Sequence, residues 1–103
     1  MNIIICGAGR VGSTIAKQLS ALSHSITIID QSSEDVQKIS DSMDVKGIVG
    51  MPTFPSVLEK AGGKEADMII AVTQNDEINM TACQVAHSIF NISKKIARIR
   101  SQE

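Results

Sequence analysis

Tryptophan and tyrosine are absent, and the only aromatic side chains are Phe54 and Phe90. The chain therefore offers neither the stacking platform of a single-stranded nucleic-acid binder nor an aromatic shelf for carbohydrate. Charge of one sign is not in excess either: ten Lys and Arg face eleven Asp and Glu, a formal net charge of −1. A phosphate polymer would find no basic track, so nucleic acid is not expected as a partner. Cysteine is scarce. Cys6 and Cys83 sit in apolar stretches, form no close-spaced ligand pattern, and are expected as reduced thiols of a cytosolic protein. No apolar run approaches the roughly 18 residues of a membrane span, and Met1-Asn2-Ile3 lacks the charged start of a signal peptide. The expected location is the cytoplasm. What the sequence does have is apolar content, 43% hydrophobic against 20% charged residues over 103 positions, enough for one core and one domain.

That apolar content alternates between two patterns. Short β-branched runs at Ile3–Cys6, Ile26–Ile29, Val45–Val49, Met68–Val72 and Ile96–Ile99 predict strands, the first, second and fourth apolar enough to be covered on both faces. Between them lie segments of helical period. Val11, Ile15, Leu19 and Leu22 predict a buried stripe on a first helix. Ser32 and Asp35 read as a capping box before the stripe Val36, Ile39 and Met43. Pro55 suits a first helical turn that ends at Gly62-Gly63. The last helix starts near Asn75-Asp76-Glu77 and is expected to turn Ile78, Ala82, Val85, Ala86, Ile89 and Phe90 inward. Right-handed crossovers then give an α/β fold, a Rossmann-like doubly wound parallel sheet of order 3-2-1-4-5 with helices on both faces. This architecture normally adds a sixth strand, so the chain, a single domain over 1–103, is expected to be a fragment of something longer.

Gly7-Ala8-Gly9-Arg10-Val11-Gly12 fits G-x-G-x-x-G between a strand and a helix, the context in which that pattern is informative. Gly7 permits the tight turn, Gly9 lets backbone approach a pyrophosphate, and Gly12 lets the helix pack close to the strand. Free amides and the positive dipole end at the helix start then favour phosphate. Asp30 ends the second strand at the spacing where such sites carry the acid that accepts ribose hydroxyls. A carboxylate there would repel a 2′-phosphate, which favours NAD(H) over NADP(H), and ATP and ADP share the same adenosine end. By topology, Gly50-Met51-Pro52-Thr53 leaves strand 3 beside Asp30, and Thr73-Gln74-Asn75 leaves strand 4 across the crevice from Gly7 and Gly9. Neither His24 nor His87 is placed beside a nucleophile, and no catalytic residue is expected.

GAGRVG, the Asp30 strand end, GMPTFPSVLEKAGGKEADMIIAVTQNDEIN and the closing IARIRSQE together resemble the N-terminal nucleotide-binding (RCK or KTN, TrkA-N) domain of Trk-type potassium uptake regulators. The resemblance implies a regulatory subunit that binds NAD(H), or ATP or ADP, at the cytoplasmic face of a potassium-conducting membrane protein. Carried over by position, Gly7, Gly9, Arg10, Val11 and Gly12 would hold phosphates and Asp30 the ribose. Thr73 and Asn79 would lie near the rest of the ligand, and Arg98 would face the site from strand 5. Gln31 and Met51 complete the candidate set, although Met51-Pro52 stands where the family usually has an acid and a small residue.

The apolar bulk of the last helix, including Ile78, Met80, Ile89 and Phe90, exceeds what one sheet face can cover, so a homo-oligomer, dimer or tetramer, is expected. Two other functions fit the same scaffold. One is the cofactor half of an NAD-dependent dehydrogenase whose catalytic domain is absent; the other is an interaction domain that has lost its ligand.

Overall fold

In the computed structural model, residues 1–100 are described, so the Ser101-Gln102-Glu103 end of the closing motif lies outside them. The alternation is β1 (Asn2–Cys6), α1 (Arg10–Ala21), β2 (Ser25–Asp30), α2 (Ser33–Ser42), β3 (Lys46–Val49), α3 (Pro55–Lys60), β4 (Met68–Ala71), α4 (Asp76–Phe90) and β5 (Lys94–Ala97). All four strand pairings are parallel and the order is β3-β2-β1-β4-β5, as the alternation predicts.

The two-residue period of β1 divides the interior. Ile3 and Ile5 face one layer with Ile26, Ile28, Ile70 and Val72, under Ala16 of α1 and Val36 and Ile39 of α2. Ile4 and Cys6 face the other with Ile29, Ile69 and Ala71, under Leu58 of α3 and Ala82 and Ala86 of α4. Each wholly buried Ile or Leu contributes about 1.5–3 kcal/mol. The central strands are held from both sides, so the loops leaving their C-terminal ends stand on a rigid base.

Three expectations are corrected. The inner face of α1 is centred on Gly12 and Ala16, with Ile15 and Leu19 at its flanks, while Val11 and Leu22 are exposed. The inner face of α4 is Asn79, Ala82 and Ala86, and Ile89 is 55% exposed. Both helices lie so close to the sheet that small residues occupy the contact line, and large apolar neighbours are displaced sideways. Finally, β5 begins at Lys94, two residues before the apolar run, and Ile96 and Ile99 are exposed. It is an edge strand, and its lysines are the kind of residue that guards an open edge.

Candidate functional site

The crevice opens where β1 and β4 part, at the C-terminal ends of the strands. Gly7 turns out of β1 at φ +115°, its N–H donating to the Ile29 carbonyl at 2.8 Å. A Cβ there would sit 3.0 Å from the Val72 and Thr73 backbone. Gly12 is more constrained still: a Cβ would lie 1.8 Å from the Gly7 carbonyl oxygen, so α1 packs on the loop as only glycine allows. Gly9 differs. Its φ is −80°, and a Cβ would meet no protein atom within 4 Å. Neither backbone conformation nor packing within the chain requires glycine at that position, and the space beside it is the cavity it lines.

The start of α1 leaves its amides open. The first amide to find a helical acceptor is that of Ser13, donating to the Gly9 carbonyl at 2.9 Å, which leaves the preceding amides of the first turn without intrahelical partners. No side chain caps them and no acid sits in that turn. By contrast, α2 is capped by Ser32 and α4 by Asn75, each with two acids in its first turn. The Ser13 and Thr14 hydroxyls turn back to the Arg10 carbonyl at 3.1 and 2.8 Å. An anion placed at α1 would meet the amides, the dipole and Arg10, which lines the cavity.

Asp30 serves the loop directly. Its Oδ2 accepts from the Ala8 N–H at 2.8 Å and its Oδ1 from the Ser32 N–H at 2.9 Å, while its carbonyl receives the Gly50 N–H at 2.9 Å. One carboxylate thus fixes the middle of the glycine loop and the entry to α2. Each oxygen keeps a second lone pair able to take a hydroxyl.

On the opposite wall, Asn79 is wholly buried, the one buried polar residue among those described. Its Oδ1 accepts from the Thr73 N–H at 2.9 Å and the Thr73 hydroxyl at 2.6 Å. Its Nδ2 donates to the carbonyls of Thr73 at 3.1 Å and Arg98 at 2.9 Å. All four hydrogen-bonding positions of the carboxamide are used inside the protein, so Asn79 shapes the wall without facing the cavity.

The cavity encloses about 440 Å³ and brings together eight predicted residues: Gly7, Gly9, Arg10, Val11, Asp30, Gln31, Thr73 and Arg98. Gly12, Met51 and Asn79 are not on its surface. Gly12 is packed behind the loop, and Pro52 takes the wall position beside Met51. Asp35, Val72 and Ile78 also line it and were not among the candidate site residues. Asp35 carried a signal, the capping pattern, that points to a purely local role. Ile78 and Val72 read as core. Three strand spacings separate β2 from β5, so Asp30 and Arg98 line opposite ends of the site. No cluster of three or more metal-ligating side chains occurs among the described residues.

A parallel 3-2-1-4-5 sheet with a glycine loop after β1 and an acid ending β2 defines a Rossmann-type doubly wound domain. The model of the TrkA-N domain matches residues 3–103, and the chain belongs to that family. It is 50% identical over 102 residues to the Trk system potassium uptake protein TrkA of Azorhizobium caulinodans, covering 99% of this chain and 22% of that protein. The chain thus spans less than a quarter of that relative's length. Among solved structures it is similar to the Shewanella denitrificans Kef CTD in AMP-bound form, with a TM-score of 0.79, 26% identity, and coverage of 93% of this chain and 57% of that one. The GsuK channel bound to NAD shares the fold, with a TM-score of 0.77 at 20% identity over 90% of this chain and 17% of that one.

Proposed function

We propose that this chain is the nucleotide-sensing domain of a longer regulatory subunit in a potassium uptake system. It binds NAD(H), or ATP or ADP, by the adenosine 5′-phosphate portion they share. Binding biases the arrangement of subunits and so gates an integral-membrane potassium transporter from its cytoplasmic side. The chain works as a homo-oligomer, through apolar surface on α4, β5 and the segment after it, where Met80, Ile89, Ile96 and Ile99 are exposed. None of the helices among the described residues is long and apolar enough to cross a membrane.

The observation that carries this reading is Gly9, a glycine that nothing in the protein requires, beside an uncapped helix start and a cavity-lining arginine. The likeness to an AMP-bound and an NAD-bound protein adds support, because both ligands contain adenosine 5′-phosphate. In this reading Gly7, Gly9, Arg10 and Val11 meet the phosphates from the α1 side, with Gly12 holding the helix in place. Asp30 and Gln31 meet the ribose, Met51 borders the adenine side through Pro52, Thr73 positioned by Asn79 forms the far wall, and Arg98 meets an anionic group at the distal end. The ionisable side chains on the cavity wall are Arg10, Asp30, Asp35 and Arg98. They include no nucleophile with an adjacent base, and we assign binding rather than turnover.

Calorimetric and thermal titration with NADH, NAD, ATP, ADP and AMP tests the reading. A ligand at about 100 times its Kd adds roughly 2.7 kcal/mol and raises Tm by several degrees in a domain of this size. Gly9→Val should abolish that response. Flat heats for every nucleotide at millimolar concentration, or hydride turnover by the chain itself, would overturn it.

A further inference from the structure

We infer that Asp35 is a second specificity-determining carboxylate of the nucleotide site, one that excludes ligands carrying a phosphate on the ribose 2′ position; the inference rests on the nucleotide reading above. The sequence pattern assigns Asp35 a different role. With Ser32 at the helix start, an acid three residues on normally reaches back to the N–H of the capping residue. Only half of that exchange occurs. The Ser32 hydroxyl accepts from the Asp35 N–H at 3.2 Å, but the Ser32 N–H donates to Asp30 at 2.9 Å. Asp30 occupies the place that Asp35 would have filled. No hydrogen bond or ion pair reaches the Asp35 carboxylate among the described residues, and the half-buried side chain lines the cavity.

The two acids on this wall therefore divide the work. Both Asp30 oxygens are engaged by backbone amides of the loop and of α2, whereas Asp35 is uncommitted in the first turn of α2. The cationic groups of the cavity, Arg10 and Arg98, lie on α1 and beyond β5. A phosphate added to the ribose would approach the Asp30 and Asp35 carboxylates without a cation from their own wall.

Affinities for AMP and for adenosine 2′,5′-bisphosphate, which differ only by the 2′-phosphate, are the measurement. The unaltered chain should prefer AMP, and the preference should shrink as salt rises. Asp35→Asn should reduce the preference roughly three- to tenfold, the size expected for one partly screened charge facing a phosphate, and Asp35→Lys should reduce it further. Glu34→Gln removes the neighbouring first-turn acid of α2, which is exposed and off the cavity wall, and should leave the ratio unchanged. An unchanged ratio in Asp35→Asn, or an equal fall in Glu34→Gln, overturns the assignment while AMP binding stands. If the unaltered chain binds neither compound, the nucleotide reading fails and this inference fails with it.

Discussion

Asn79 Oδ1 holds both the backbone N–H and the hydroxyl of Thr73, at 2.9 and 2.6 Å, from a position with no exposure to solvent. Through its Nδ2 the same carboxamide reaches the Arg98 carbonyl, so one buried side chain joins the exit of β4, the first turns of α4 and the segment after β5.

Truncation to Asn79→Ala strands the Thr73 amide and the Arg98 carbonyl without their partner, and each buried unsatisfied group costs about 1–3 kcal/mol. The expected loss is about 2–5 kcal/mol, a fall in Tm above 10 °C by thermal denaturation. Asn79→Asp keeps the acceptor but loses both Nδ2 bonds and should also destabilise. A fall of less than 3 °C in Asn79→Ala would show that the network carries little of the wall.

Two glycines of one loop should respond oppositely to the same methyl group. Gly12→Ala drives its Cβ into the Gly7 carbonyl and should lower stability by more than about 2 kcal/mol or prevent folding. Gly9→Ala meets open space, should leave the unliganded Tm within a degree or two, and should weaken nucleotide binding at least tenfold. Circular dichroism melts with and without ligand distinguish the two effects.

Asp30 lines the cavity and also holds the loop. Asp30→Ala should cost about 2–4 kcal/mol without any ligand, because two backbone amides lose a charged acceptor. Lost nucleotide binding in that variant is evidence about the loop as much as about the ribose, and the ligand-free melt shows how much belongs to each.

The thiols should behave differently from free cysteine. Burial pushes the Cys6 pKa far up, with a smaller contribution from Cys83, and burial also raises that of Cys83 against the lowering effect of Lys95. In the unfolded chain a thiol begins to ionise near its ordinary value of about 9, while folded Cys6 stays protonated. The stability that Cys6 contributes is thus intact below that pH and declines as pH rises above it, by up to about 1.4 kcal/mol per unit. Denaturant midpoints between pH 8 and 10 should fall more steeply in the native sequence than in Cys6→Ala. Alkylation of the folded protein should mark half-buried Cys83 first and Cys6 only after unfolding.

The exposed apolar side chains of α4 and β5 should hold copies together. Light scattering at high micromolar concentration should give more than the monomer mass, and Met80→Asp with Ile96→Asp should reduce it. A monomer at that concentration removes the oligomer from the proposal.

How much of this was legible beforehand depended on which force decided each feature. The central strands were plain, because Ile3–Cys6, Ile26–Ile29 and Met68–Ala71 are buried on both faces and leave the sequence no choice of pattern. Gly7, Gly12 and Asp30 were plain for the same kind of reason, a requirement of geometry that few residues meet. The inner faces of α1 and α4 were not. Periodicity weights large apolar residues, whereas the contact lines here run through Gly12, Ala16, Ala82 and Ala86, with Ile89 turned outward. Edge strand β5 gave a weak signal because half its environment is solvent. Two side chains carry more than their sequence pattern tells: Asn79, expected near the ligand, spends its bonds on Thr73 and Arg98, and Asp35, expected in a capping box, gives its N–H to Ser32 while its carboxylate makes no return bond. Only the partner atoms, set by Thr73, Arg98 and Asp30 from elsewhere in the chain, decide such cases.

The pairing of β1 with β4 matches Ile3 to Met68 and Cys6 to Ala71. Within this domain β1 is thus left with one bare side until β4, 65 residues further along, has been synthesised. Such long-range closure is slow, and an unmatched isoleucine-rich strand is open to association meanwhile. During synthesis β1 depends on β2 arriving early to shield Ile3, Ile4 and Ile5, and the crevice gains its far half only once β4 and β5 have followed.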